Sequence, residues 1–258
     1  MDIGNAYLEA YTEMVYIVAG KEFGDLCGHT LIIHKALYGL RSSGLRWWER
    51  LSVVLKEMVF APSKAESDIW IHDCGDHYEY LARYVDDLGI ISKRPREITD
   101  ALEKEHGFKL KGTGPITYHL GSNFFRDSKG VLCMAPKKYI DRMSEIYLRL
   151  FGTKPRTTFT SPLEKGDHPE LDTSPELGAK GIKQYQSLIG AAQWAVSLGR
   201  LDIATVVMTL SSFCAAPREG HLSRIRRVFG YLVKMKHATI RFRTGMPDYS
   251  GVPIVEHE

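Results

Sequence analysis

Residues Tyr80 to Ser92 read YLARYVDDLGIIS: two apolar runs with adjacent carboxylates, Asp86 and Asp87, between them. Neighbouring side chains of a strand point to opposite faces, so two consecutive acids in a strand interior would bury one of them, an unfavourable place for an unpaired ion. A turn removes the conflict. With Val85 to Leu88 at the tip of a tight hairpin, both carboxylates project beyond the sheet while the flanking apolar residues anchor it. An ordinary acidic turn has the same sequence pattern, so this pair alone does not decide between structure and chemistry.

A third acid does. Asp2 lies in another short apolar segment, DIGNAY (2–7), where it too can leave the end of a strand. Magnesium sites need only two or three carboxylates, because substrate phosphates and water complete the shell. A pair of such ions about 3.5–4 Å apart can activate an attacking hydroxyl and stabilise a leaving phosphate in line.

Outward from the hairpin, short β-type runs alternate with helical ones. VYIVAG (15–20), HTLIIH (29–34) and SDIWIH (67–72) are strand-like. SSGLRWWERLSVVLKEMVF (42–60) carries Leu45, Trp48, Leu51, Leu55 and Met58 near helical spacing, and REITDALEKEHG (96–107) predicts an amphipathic helix ended by glycine. ITYHLGSNFFRDSKGVLCMAP (116–136) predicts a second hairpin with DSKG at its turn. After Pro136 the pattern turns helical: KKYIDRMSEIYLRLFG (137–152), a loop rich in Thr, Pro, Gly and Asp (153–181), then helices near 183–198, 201–215 and 219–236. In the last, Leu222, Ile225, Phe229, Leu232 and Met235 form an apolar stripe, and Arg224, Arg227 and Lys234 lie on another face. That basic face suits either solvent or phosphates. The class is α+β, with a boundary expected between residues 1–135 and 136–258.

The 258 residues are 44% hydrophobic and 25% charged, and Lys plus Arg (34) barely exceed Asp plus Glu (31). No global field announces a polyanionic partner, so any nucleic-acid surface must come from local clustering. Cys27, Cys74, Cys133 and Cys214 show no CxxC pair and no zinc or disulfide spacing, which places the chain by default in a reducing compartment. The dispersed histidines, His29 and His34 among them, are assigned no metal. No apolar stretch reaches membrane-span length and no signal peptide is visible, so a non-secreted protein without a membrane partner is expected.

These residues carry a resemblance. DIGNAY followed by YVDD (84–87) resembles the first and third polymerase motifs of reverse transcriptases. IIHKALYGLRSSGLRWWERL (32–51) is similar to the pattern K-x-L-Y-G-L-K-Q-A-P-R-x-W of copia-type LTR retrotransposons. In order along the chain, FKLKGTGPITYHLG (108–121), KKYIDRM (137–143), YQSLIGAAQWAVSLGRLDIA (185–204) and APREGHLSRIRRVFGYL (216–232) resemble further motifs of that family. Ordered matches over most of the chain are far more specific than YVDD alone.

The resemblance implies a right-hand polymerase: a palm, an antiparallel sheet backed by helices, followed by a helical thumb and connection-like region. It implies RNA-directed DNA synthesis from a deoxynucleoside triphosphate onto a primer paired with an RNA or DNA template. Asp2, Asp86 and Asp87 would be catalytic and would hold two magnesium ions, with manganese as a substitute and the carbonyl of Ile3 as a further ligand. Tyr7 matches the residue under the incoming sugar, and Arg41, Ser42 and Ser43 the segment near the nucleotide, where Ser42 and Gly44 depart from the family's Gln and Pro. Lys111 matches a lysine near the leaving pyrophosphate, although spacing does not separate it from Lys109. Tyr84, Leu120, Gly121, Lys137, Lys138, Arg224 and Arg227 would face nucleic acid. The abrupt start MDIGNAYLEAY suggests a fragment of a polyprotein lacking its fingers and RNase H segments, working in the cytoplasm, in virus-like particles, or in the nucleus. Two other readings stay open here: an inactive nucleic-acid-binding relic, and an unrelated two-metal phosphatase or nuclease.

Overall fold

The alternation that surrounds Asp86 and Asp87 produces a hairpin inside a six-stranded sheet. The computed structural model describes residues 1–243 and Gly245; the end of the expected 136–258 region lies outside the described residues. In chain order the first part holds β1 (Asp2–Ile3), β2 (Tyr11–Val18), β3 (Thr30–Lys35), α1 (Ser43–Glu57), β4 (Ala61–Pro62), β5 (Ile69–Asp73), β6 (Tyr78–Tyr84), β7 (Asp87–Ile91), α2 (Pro95–Asp100) and β8 (Leu110–Lys111). The sheet order is β4-β5-β6-β7-β1-β8, and every pairing is antiparallel. β2 and β3 form a separate two-stranded ribbon that exposes Tyr11, Met14, Tyr16 and Val18.

One face of the six-stranded sheet is closed by helices. Ile3, Leu81 and Leu88 from the strands meet Trp47, Leu51 and Leu55 of α1, with Ile98, Leu102 and Phe108 completing the core. The Trp47 and Phe108 rings meet edge to face at 5.6 Å. The phase of α1 differs from the sequence expectation: Trp47 is buried while Leu45 is exposed and Trp48 only half-buried. Adjacent tryptophans offer two stripes about 100° apart, and the sheet selects the one that includes Val54. The tip of the β6–β7 hairpin is also tighter than expected. Tyr84 pairs with Asp87, so the turn is Val85–Asp86 alone, and Asp87 and Leu88 are strand residues.

The chain divides into two compact units, Met1–Pro115 and the residues from Ile116 onward. The second hairpin therefore groups with the helices that follow it. β9 (Tyr118–His119), β10 (Ser122–Arg126) and β11 (Leu132–Ala135) are followed by α3 (Lys137–Phe151), α4 (Ala179–Ser197), α5 (Ala204–Ser211), α6 (Glu219–Lys234) and β12 (Ile240–Phe242). The sheet order is β12-β11-β10-β9, so a strand returns after the last helix, which the sequence pattern did not indicate. The DSKG turn forms as expected, with the Asp127 carboxylate accepting the backbone N–H of Lys129 (2.9 Å) and Val131 (3.0 Å).

Ile140, Met143, Tyr185, Leu188, Val207, Ile225 and Phe229 build this unit's core. Beside it the LGRLDIA segment (198–204) forms an ion pair between a buried arginine and a partly exposed aspartate. Arg200, 1% exposed, bonds Asp202 in bidentate fashion at 2.9 and 2.7 Å, and the Tyr231 hydroxyl donates to the same carboxylate at 2.9 Å. The loop 153–178 lies against α6 so closely that a Cβ at Gly230 would collide with the Arg156 carbonyl. Among the described residues, no helix is long and apolar enough to cross a membrane.

Candidate active site

Strand register decides which side chains share a face. Directly opposite residues of antiparallel strands point the same way, with Cβ atoms about 4.5–5.5 Å apart. Tyr84 stands opposite Asp87, Asp87 opposite Asp2, and Asp2 opposite Lys111. These four side chains form one row across β6, β7, β1 and β8, on the face away from the helices. The alternation places Ile3 and Leu88, both buried, on the core face. Asp86 follows in the turn, beside the row. The two consecutive acids thus avoid burial in different ways: Asp86 is in the turn and Asp87 is on the open face.

Backbone hydrogen bonds hold β1 to the hairpin. The Ile3 N–H donates to the Asp86 carbonyl (2.8 Å), and the Leu88 N–H to the Met1 carbonyl (2.8 Å). From α1, the buried indole N–H of Trp47 donates to the Val85 carbonyl at 2.6 Å, fixing the tip from the core side. Val85 has φ 55°, and Asp86 keeps a negative φ, the sign pattern of a type II′ turn. The Ile3 side chain is fully buried, so only its backbone could serve as a ligand.

Three carboxylates with one lysine in the row leave the site acidic, and hard oxygen donors of this kind suit divalent magnesium or manganese. Lys111 rather than Lys109 occupies the row: a Cβ at Gly4 would lie 3.1 Å from Lys111 Cε and 3.4 Å from Nζ, whereas Lys109 contributes its carbonyl to the Gly4 N–H.

Tyr7 is carried by a single 3-10 turn, Ala6–Glu9, and its ring lies 4.5 Å from that of Tyr38. Tyr38 is exposed, and its phenol is shifted upward, first by desolvation and then by the Asp86 charge, with Tyr7 and Asp2 adding to it. Tyr38 stands within the LYGL motif (37–40). Its signal was present in that motif, yet only the fold shows that the loop before α1 returns to the acids. Arg41 is exposed and Ser42 half-buried at the head of α1. Ser43 is buried, and its hydroxyl donates to the Leu37 carbonyl at 2.6 Å, so its side chain braces the loop and does not face outward.

In the second unit, Leu120 and Gly121 both have positive φ, 47° and 96°, and link β9 to β10 as a two-residue turn. Lys138 lies 4.9 Å from the Tyr118 ring, Arg142 bonds the Tyr118 hydroxyl at 3.3 Å, and Lys137 lies 4.6 Å from the Phe125 ring. A basic, aromatic edge results. Arg224 and Arg227 do not join it. Arg224 bonds Asp167 through Nε and Nη2 and Asp172 through Nη1. Arg227 bonds Ser161 and Glu164 and covers the Phe159 ring. Both guanidinium groups pin the 153–178 loop, because acids in that loop supply partners that helix periodicity does not reveal.

Fold and site together define a chain that gathers acids from a strand end and a YVDD hairpin on one antiparallel sheet. The sequence model of the family described as reverse transcriptase (RNA-dependent DNA polymerase) matches residues 1–162, and the chain belongs to that family. It is 29% identical over 252 residues to a transposon Ty5-1 protein of Saccharomyces cerevisiae, covering 95% of this chain and 79% of that protein. It is 26% identical over 250 residues to the retrovirus-related Pol polyprotein from transposon RE1 of Arabidopsis thaliana, covering 95% of this chain and 16% of that one. With the transposon Ty1-NL2 Gag-Pol polyprotein of Saccharomyces cerevisiae the identity is 25% over 232 residues, 84% of this chain and 13% of that one. The relatives are copia-type retrotransposon proteins, and this chain spans only a small part of the two polyproteins. No solved structure matches the chain.

Proposed function

We propose that this chain is the polymerase core of a copia-type retrotransposon reverse transcriptase, adding nucleotides from deoxynucleoside triphosphates to a primer 3′-hydroxyl on an RNA or DNA template. The observation that carries the reading is the row Tyr84, Asp87, Asp2 and Lys111, with Asp86 beside it. The first unit serves as palm, and the second supplies thumb and connection functions. Asp2, Asp86 and Asp87 are the ligands for two magnesium ions, for which manganese can substitute. Bound there, the metal would activate the 3′-hydroxyl and neutralise charge on the leaving pyrophosphate.

The remaining roles belong to the chain's own residues. Phosphoryl transfer is largely positioning and charge neutralisation, and the tip clamped by Trp47 keeps Asp86 where the row needs it. Tyr7 and Tyr38 form an aromatic shelf for the incoming sugar and base. Lys111 donates charge, and in the transition state a proton, to the leaving pyrophosphate. Arg41 and Ser42 contact the triphosphate side of the nucleotide. Tyr84, the Leu120–Gly121 turn, Lys137 and Lys138 touch the duplex. Other segments of a polyprotein, fingers and RNase H, are the expected partners.

Primer extension on an RNA template tests this. Magnesium-dependent incorporation by the chain should fall at least about a thousandfold in Asp86→Asn and in Asp2→Asn, a loss of about 4 kcal/mol of transition-state stabilisation. Wild-type rates in either variant would overturn the assignment. Salt-dependent duplex binding without any incorporation by the unaltered chain would favour a non-catalytic relic.

A further inference from the structure

At the opposite end of the β6 strand from the acids, the turn IHDCGDHYE (71–79) gathers a second set of ligand-type side chains. The four cysteines have no zinc spacing among themselves, but Cys74 has ligand-type neighbours of other kinds. His72 and Glu79 stand opposite each other in the β5–β6 pairing and so share a face, and Cys74 enters the turn just beyond them. One donor atom from each of the three lies within 4.8 Å of the others. His72 Nδ1 is 3.3 Å from Glu79 Oε2 and 3.6 Å from Cys74 Sγ. Tetrahedral zinc, with bonds of about 2.0–2.3 Å, has ligand-to-ligand edges of about 3.3–3.8 Å. A single Nδ1 can donate its hydrogen to only one of those two neighbours, whereas a cation satisfies all three donors.

A fourth candidate, His77, stands outside that 4.8 Å group, beside Glu79. Its Nδ1 lies 2.5 Å from Asp76 Oδ1, and Asp76 is held in turn by Lys93 at 2.9 Å. With the proton on Nδ1, Nε2 keeps its lone pair. That Nε2 is buried, has no hydrogen-bond partner among the described residues, and lies 3.9 Å from Glu79 Oε1. A carboxylate on one ring nitrogen with the other left open is the arrangement that orients histidine ligands to metals. Glu79 itself is 6% exposed and accepts the Ser92 hydroxyl, which closes an outer shell around the carboxylate.

We propose that His72, Cys74, His77 and Glu79 form a structural zinc site. Four protein ligands leave no open position, so the ion would hold the β5–β6 turn to the end of β7, where Ser92 lies, and would take no part in catalysis. The inference is independent of the polymerase reading. It would brace the strands that carry YVDD from the end remote from the acids.

Cobalt(II) titration of the full, reduced, metal-free chain is the test. A thiolate-to-cobalt charge-transfer band and intense tetrahedral d–d bands should saturate at one ion per chain and be erased by zinc. Cys74→Ser should abolish the charge-transfer band, while Cys27→Ser, which alters an exposed cysteine elsewhere, should leave it. His77→Ala should weaken binding at least about tenfold, since loss of an outer-shell partner alone costs about 10–100-fold. Zinc should also raise the unfolding temperature of the unaltered chain, and at the same zinc concentration raise that of His77→Ala, a turn substitution that leaves the sheet core intact, by less. Cobalt at the Asp2, Asp86 and Asp87 carboxylates gives only weak octahedral bands. Weak bands alone, a charge-transfer band that survives Cys74→Ser, or unchanged affinity in His77→Ala would overturn the site.

Discussion

Val85 sits where a β-branched residue is least comfortable. Its φ of 55° lies in the left-handed region, where strain of about 1–3 kcal/mol is stored at a non-glycine residue. Two contacts hold it there: the pairing of Tyr84 with Asp87, and the Trp47 indole on its carbonyl. Val85→Gly relieves the strain but frees the unfolded chain by about 0.5–1 kcal/mol, so a net gain of about 1 kcal/mol is expected in denaturant unfolding. A loss of stability in that variant would show that the valine side chain contributes more than its backbone costs. Trp47→Phe keeps an aromatic ring against Phe108 but removes the N–H donor together with part of a buried ring. Leaving the Val85 carbonyl unpaired should cost about 1–3 kcal/mol of stability. In primer extension it should lower kcat more than it raises KM, because the tip positions Asp86 rather than binding substrate. The acids themselves were legible in the sequence, since DIGNAY and YVDD are local patterns. Their register was not, because the pairing of Asp2 with Asp87 and Lys111 is a contact between distant segments. Tyr38 was missed for the same reason.

Elements show the same division between local and distant causes. The strands, α1 and α6 follow from apolar periodicity, and Leu51 and Leu55 lie in the core as that spacing predicts, yet only the sheet chooses between Trp47 and Trp48. The role of α6 was harder to read. Arg224 and Arg227 repeat at helical spacing as a phosphate-binding face would, and their actual partners, Asp167, Asp172 and Glu164, lie in a loop that sequence alone presents as a linker. That loop is fixed to the helix by a partly buried network, and the network has a pH signature. Burial alone would raise the Asp172 pKa, but hydrogen bonds from Ser174 and Arg224 outweigh it and hold the carboxyl at about 2. The folded value lies below the unfolded value of about 3.9, so the stabilisation is complete above about pH 4 and is lost as pH falls through about 2. Unfolding free energies of the unaltered chain and Asp172→Asn should therefore differ at neutral pH and converge near pH 2. A gap that stays constant between pH 5 and pH 2 would assign the difference to packing instead.

At the scale of the whole chain, the two units have separate hydrophobic clusters. The first is built on Trp47, Leu81, Leu88 and Phe108, and the second on Ile140, Tyr185, Val207 and Phe229. Each also has its own antiparallel sheet and its own helices, so each meets the requirement for independent folding: a core that does not borrow residues from elsewhere. The division at Pro115 and Ile116 follows from contacts that β10 makes with β11, and β11 with β12, close to the far end of the chain. No local signal marks that boundary, because the change from strands to helices after Pro136 falls inside the second unit. Residues 116–243 expressed alone should keep a helical circular-dichroism signal and unfold in one cooperative transition. Its urea m-value should be about 1–2 kcal/mol/M, in proportion to the surface that a unit of this size buries. The β12 strand provides the sharper test. Ending the fragment before Ile240 removes the edge that pairs with Leu132, Cys133 and Met134, and should lower stability markedly while leaving the helical signal in place. A fragment 116–243 without a cooperative transition would mean that its core depends on residues of the first unit.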